Sequence, residues 1–166
     1  MSDDTGVIRN SYNIVSAVKS IPDERGETIL FGKHPYSIVY TRSKEGVLRG
    51  IHFQTNPWCE KKVHFISGVF LDVMVDIRTG EWSSYYLVAP IDLFVPSGYA
   101  HGYLALSHVE LMYEFIPYWD YPSTYTLAWD DPNLNIPWVD YYDLRSIIMS
   151  KKDRKGISLL EAQNLI

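Results

Sequence analysis

Short runs of apolar and β-branched residues recur along most of the chain, and turn-forming residues cut them at close intervals. The runs occupy residues 13–18, 37–41, 47–54, 62–66, 68–77, 83–88, 91–95, 102–106 and 110–116. Turn chemistry falls between them at 22–26, 32–35, 79–80, 89–90 and 96–98. Segments this short cannot each present a helical stripe to a core, whereas they suit strands that bury alternate side chains. The pattern predicts an all-β sandwich or barrel. Helical signal is weak until the end of the chain, where 141–149 and 157–166 are each expected to supply a short helix. No Gly/Ser linker, low-complexity tract or repeat divides the sequence, so residues 1–166 are read as one domain.

Aromatic content is 14%, including 13 Tyr and 5 Trp, which fits strands better than helices. The net charge of −5, with Lys and Arg scattered, provides no basic field to gather nucleic acid. A small anionic ligand is still compatible, because a diphosphate needs only two or three aimed cations. One cysteine, Cys59, allows neither an intrachain disulfide nor a multi-cysteine metal site. The acidic start MSDDTGVIRNSYN lacks the features of a signal peptide, and no window approaches a membrane span. A soluble, cytoplasmic protein without membrane partners is expected.

Two segments carry candidate chemistry: GVLRGIHFQ at 46–54 and PSGYAHG at 96–102. Each sets one histidine, His52 or His101, on an extended run, with Arg49 close to the first and Lys61 a little beyond. Histidines, nearby cations and a later tyrosine suit proton abstraction next to a carbonyl. Alternation along a strand turns Arg49 and His52 to opposite faces unless the backbone bulges, and Gly50 between them permits a bulge.

These segments, with VFLDVMVDIR at 69–78 and WDDPNLNIPW at 129–138, resemble the dTDP-4-dehydrorhamnose 3,5-epimerases in the same order. DERG at 23–26 and MSKKD at 149–153 extend the resemblance over roughly residues 20–155. It implies a cupin-like jelly roll, a homodimer with strands exchanged between subunits, and no metal or other cofactor. The implied substrate is a nucleotide-diphosphate 4-keto-6-deoxy sugar, inverted at carbon 3, carbon 5 or both in deoxysugar biosynthesis. In that family's pattern His52 takes the place of the base and Asp153 that of the carboxylate that orients it. Lys61 matches the lysine near the sugar ketone; counting back from Gly68 without gaps selects it over Lys62. Tyr113, twelve residues after His101, matches the general acid. His101, paired with Asp72, would sit near sugar and phosphate. Arg49 and Gln54 match substrate contacts, and Arg25 would reach the nucleotide on a neighbouring subunit.

The resemblance thins at the nucleotide end. Where the family continues after DERG with aromatic residues and a glutamate that read the base, this chain has Glu27, Thr28, Ile29 and Leu30. Ser37 and Val39 replace a polar Q-x-N, His64 stands for an arginine, and Glu114 for the lysine after the acid. The nucleotide is therefore left open. The alternatives are a metal-dependent cupin using His52, His64 and His101, a nucleotide-sugar 3,4-ketoisomerase, and a cupin that binds sugar nucleotides without catalysis. The first lacks an H-x-H motif with its glutamate, and the second lacks the GVLRGIHFQ and DERG signatures.

Overall fold

The computed structural model describes residues 18–31 and 37–166. Most of the expected run at 13–18 and the turn at 32–35 lie outside the described residues. The strands are β1 (Val18–Asp23), β2 (Gly26–Phe31), β3 (Ser37–Ser43), β4 (Leu48–Gln54), β5 (Glu60–Ser67) and β6 (Val69–Asp76). They continue as β7 (Trp82–Val88), β8 (Ile91–Val95), β9 (Tyr99–Ala105), β10 (Val109–Ile116) and β11 (Thr124–Thr126). All paired strands are antiparallel, in a six-stranded sheet ordered β1-β2-β3-β10-β5-β8 and a five-stranded sheet ordered β11-β4-β9-β6-β7. The all-β expectation holds.

The two sheets pack face to face. Val63, Phe65 and Leu111 of the larger sheet meet Phe70, Tyr103 and Ala105 of the smaller in one buried cluster. Each of the Val, Leu and Phe side chains among them, taken fully out of water, contributes about 2 kcal/mol. The nearly unbroken apolar run VFLDVMVD at β6 has a reason in this arrangement. Phe70 faces the other sheet, while Leu71, Val73 and Val75 point outward into a second core with Leu134, Trp138, Met149 and Leu159. The C-terminal third of the chain thus covers the outer face of the smaller sheet, as a strand buried on both faces requires.

The tail is less helical than expected. Residues 141–149 contain one 3₁₀ turn, Leu144–Ser146, started by Asp143, whose side chain accepts from the Arg145 amide. Ile147 is already extended, and Ile148 bridges to Val47. Two consecutive β-branched residues with a backbone partner in the sheet favour extension over another helical turn. The second helix forms as α1 (Leu159–Gln163), held by a capping box between Ser158 and Glu161.

Candidate active site

The site begins with an irregularity in β4. Arg49 pairs with Tyr103 and His52 with His101, so three steps on β4 match two on β9. This is a bulge, and it turns Arg49 and His52 to the same face. Gly50 has φ +119°, and a Cβ there would lie 2.7 Å from the Cα of Gly102. Only glycine tolerates that combination.

Four elements then bring acid–base groups together. His52 from β4 and His101 from β9 are cross-strand neighbours on the inner face of the smaller sheet. Lys61 comes from β5 and Tyr113 from β10, on the inner face of the larger sheet. The Lys61 ammonium spans the gap, donating to the His52 carbonyl at 2.8 Å. The rings of His101 and Tyr113 meet edge to face at 6.2 Å. Lys61 is buried and Lys62 exposed, which selects Lys61 as the lysine on the site side.

A fifth contribution comes from the C-terminal segment. Asp153 opens a 3₁₀ turn, Asp153–Lys155, and its amide bonds to the Ser150 hydroxyl. Its Oδ1 lies 2.6 Å from His52 Nε2, and its Oδ2 accepts from Arg25 at 2.9 Å. Burial opposes ionisation of Asp153, but the charge and hydrogen bond of His52, then Arg25 and Ser150, outweigh it and lower its pKa. Asp153 is an ionised acceptor. It therefore takes the Nε2 proton of a neutral His52, leaving the lone pair on Nδ1.

The electrostatics of His52 differ from the simple expectation that a carboxylate partner makes the imidazole more basic. Burial is the largest influence and lowers its pKa; Asp153 raises it, and Lys61 and Lys152 lower it again, with a net lowering. The ring is thus unprotonated at neutral pH, the form in which it can accept a proton, while its 31% exposed side chain keeps it reachable. Burial also lowers Lys61, to about 8, against Cys59 and Asp72, which raise it. Tyr113 is pushed well up, by burial first and then by Tyr103, so its hydroxyl stays protonated as a donor.

His101 Nε2 lies 2.8 Å from Asp72 Oδ1, the pairing expected for them, and both side chains are almost fully buried. His101 Nδ1 has no hydrogen-bond partner among the described residues. A buried ring nitrogen in that condition is a natural place for a ligand or water to bind.

Three expected substrate contacts are engaged with protein. Arg49 donates to Ser43 Oγ, Thr28 Oγ1 and the carbonyls of Arg42 and Glu27, which ties the β1–β2 hairpin to β4. Gln54 donates to the carbonyls of Pro57 and Tyr118 and accepts from the Asp120 amide. Arg25 is held by Asp23 and reaches Asp153 of its own chain, where a contact across a subunit boundary was expected. Arg49 is turned this way by the bulge, and Arg25 by a hairpin that the sequence reading did not resolve. The period-two pattern of GETILF, with Thr28 and Leu30 facing inward beside Thr41 and Val39, was its available signal.

His64 sits on the outer face of β5, with Nδ1 2.9 Å from Asp92 Oδ1 and Nε2 3.3 Å from Glu114 Oε1. The three-histidine set does not converge, and no cluster of three potential metal ligands occurs among the described residues. A surface groove of about 500 Å³ lined by Trp58, Arg78, Ser97, Gly98 and Ile166 carries no acid–base pair. The acid–base side chains brought together by β4, β5, β9 and β10 are instead those of His52, Lys61, His101 and Tyr113.

The sequence model of the dTDP-4-dehydrorhamnose 3,5-epimerases matches residues 2–161. The chain belongs to this family. An epimerase of that name from Pseudomonas aeruginosa is 32% identical, over 96% of this chain and 87% of its own length. One from Methanothermobacter thermautotrophicus is also 32% identical, over 96% and 85%. Among solved structures, the Elizabethkingia anophelis enzyme superposes with a TM-score of 0.68 at 26% identity, covering 87% of this chain and 89% of that one. A 3,5-epimerase from Legionella pneumophila, solved with dTDP-4-keto-L-rhamnose, gives 0.67 at 28% identity, covering 86% and 85%. These neighbours establish the cupin-like fold. Of the replacements noted in the sequence, Val39 is the cross-strand partner of Tyr113, while others have partners elsewhere. Thr28 holds Arg49, Ser37 accepts from the Trp119 amide, and His64 faces outward.

Proposed function

We propose that this chain is an epimerase that inverts carbon 3, carbon 5 or both of a nucleotide-linked 4-keto-6-deoxy sugar, a step in deoxysugar biosynthesis. The observation that carries the reading is the convergence of a neutral His52–Asp153 pair, a buried ammonium and a protonated phenol from facing sheets. His52 Nδ1 removes the proton next to the ketone, and the C–H electron pair moves into a C=C bond as the ketone becomes an enolate. Lys61 is the cation for the developing oxyanion, and Tyr113 returns a proton to the other face of the same carbon. Nothing is oxidised or reduced, so the reaction requires no cofactor. His101, steadied by Asp72, accepts at its unpartnered Nδ1 from a sugar hydroxyl. Arg49 and Gln54 support substrate binding by shaping the walls they hold.

The test is proton exchange in heavy water with a panel of 4-keto sugar nucleotides differing in base, followed by NMR. Deuterium at carbon 3 or 5 is the expected result, and its absence across the panel overturns the reading. Tyr113→Phe should slow net inversion at least about tenfold more than it slows first exchange. Equal losses in both would reduce Tyr113 to packing.

The protein is further proposed to act in the cytoplasm as a homodimer with exchanged strands. No helix among the described residues is long and apolar enough to cross a membrane. Among the described residues the β1–β2 hairpin pairs with no strand but β3, so its exchange between copies preserves the same register and contacts. The outer face of the larger sheet also exposes Phe31, Ile66 and Phe94. Light scattering at micromolar concentration should give twice the chain mass, and a single-chain mass would refute the dimer.

A further inference from the structure

We propose that Arg25 is a positioning residue of the proton-transfer machinery, holding Asp153 from the side opposite His52 and thereby setting the orientation and proton affinity of the imidazole. This deepens the epimerase reading by adding a group that touches no substrate atom in the role proposed. Asp153 is 1% exposed and has two oxygens with two different partners: His52 on Oδ1 at 2.6 Å and Arg25 on Oδ2 at 2.9 Å. A buried carboxylate with only one cation could rotate about its last bond. With both oxygens occupied, its plane is fixed, and so is the ring it orients.

Arg25 is itself held. The turn Asp23–Gly26 folds back so that the Asp23 carboxylate accepts from Arg25 Nε and Nη2 and from its amide. The result is a chain of alternating charge, Asp23, Arg25, Asp153, His52, running from the hairpin turn to the base. Arg25 lies in no strand, so its placement depends on this clamp and on β2 pairing with β3.

The direction of the effect follows from the charges around His52. From the C-terminal segment it meets Asp153 and Lys152, and from β5 it meets Lys61. β9 presents His101, engaged with Asp72 of β6, and β10 presents Tyr113. Arg25 competes with imidazolium for the same carboxylate and adds positive charge beside it, so it disfavours protonation of His52. Removing it releases the full charge of Asp153 to His52 and makes the ring more basic.

The experiment is NMR titration of the His52 imidazole in the substrate-free protein, comparing the parent chain with Arg25→Gln, Arg25→Met and Arg25→Lys. Because no substrate is present, its outcome is independent of whether the epimerase reading survives the exchange assay. The neutral variants should raise the His52 pKa by about 1 unit, and Arg25→Lys should stay within a few tenths of the parent. Two neutral variants are included so that one folded protein suffices. An unmoved or lowered pKa in the neutral variants overturns the proposal. In kinetics the acid limb of kcat should move upward by the same amount. A rise in KM with a stationary limb would instead make Arg25 a substrate grip and reject the positioning role.

Discussion

His52→Ala is expected to lose about a thousandfold or more in exchange next to the ketone, the scale of removing a positioned general base, while melting close to the parent chain. The two halves of that expectation have separate causes. Activity falls because no other imidazole within the cluster is free to act. His101 is held by Asp72 and is almost completely buried, and His64 lies on the far face of its strand. Stability is spared because the His52 side chain is nearly a third exposed and its loss opens no sealed cavity. The Asp153 carboxylate keeps Arg25 as a partner, so the buried charge is not left unpaired. The measurement pairs deuterium incorporation by NMR with thermal melting followed by circular dichroism. Exchange within tenfold of the parent, in a folded variant, would take His52 out of the base role.

Lys61→Met should cost about a hundredfold or more in kcat, in line with removal of a preorganised group that stabilises an oxyanion. Methionine keeps most of the length, so packing beside Cys59 and Phe115 changes little and the loss reads as charge. The same residue makes a pH prediction. The base must be neutral, so activity climbs as pH rises through the lowered pKa of His52, below the usual 6.5. The ammonium must be charged, so activity falls again as pH rises through about 8, where Lys61 gives up its proton. A bell with its plateau between these limbs is expected for the parent chain. In Lys61→Met the limb near 8 should vanish, and the acid limb should persist but move upward, because the Lys61 charge that lowers His52 is gone. A parent profile flat from pH 7 to 10 would show that Lys61 does not carry the charge the enolate needs.

Much of this was readable from residue patterns because it depends on local periodicity. Turn residues at 79–80, 89–90 and 96–98 mark the β6–β7, β7–β8 and β8–β9 connections. The apolar run at 68–77 was read as a strand, and β6 occupies Val69–Asp76; that both its faces are buried emerges only from the packing. His52, Lys61, Tyr113 and Asp153 could be singled out by family likeness, and Gly50 by the parity argument that Arg49 and His52 share a face only across a bulge. The β1–β2 hairpin was less legible. Its strands are short, mixed in polarity and at a sheet edge, where half the side chains face water and the period-two signal weakens. The predicted helix at 141–149 failed because Ile148 pairs with Val47, a contact that helical spacing within the segment cannot reveal.

The sequence by itself determined the strand periodicity, the all-β class and the chemical types available for proton transfer, since each is encoded within a few neighbouring residues. Only tertiary structure decided which groups meet. Asp153 is 101 positions from His52 and reaches it because the C-terminal segment must cover the outer face of the smaller sheet. Arg25 is 128 positions from Asp153 and arrives through the pairing of β2 with β3. Burial at that junction sets the proton affinities of His52, Lys61 and Tyr113, because desolvation depends on what packs around a group rather than on its neighbours in the chain.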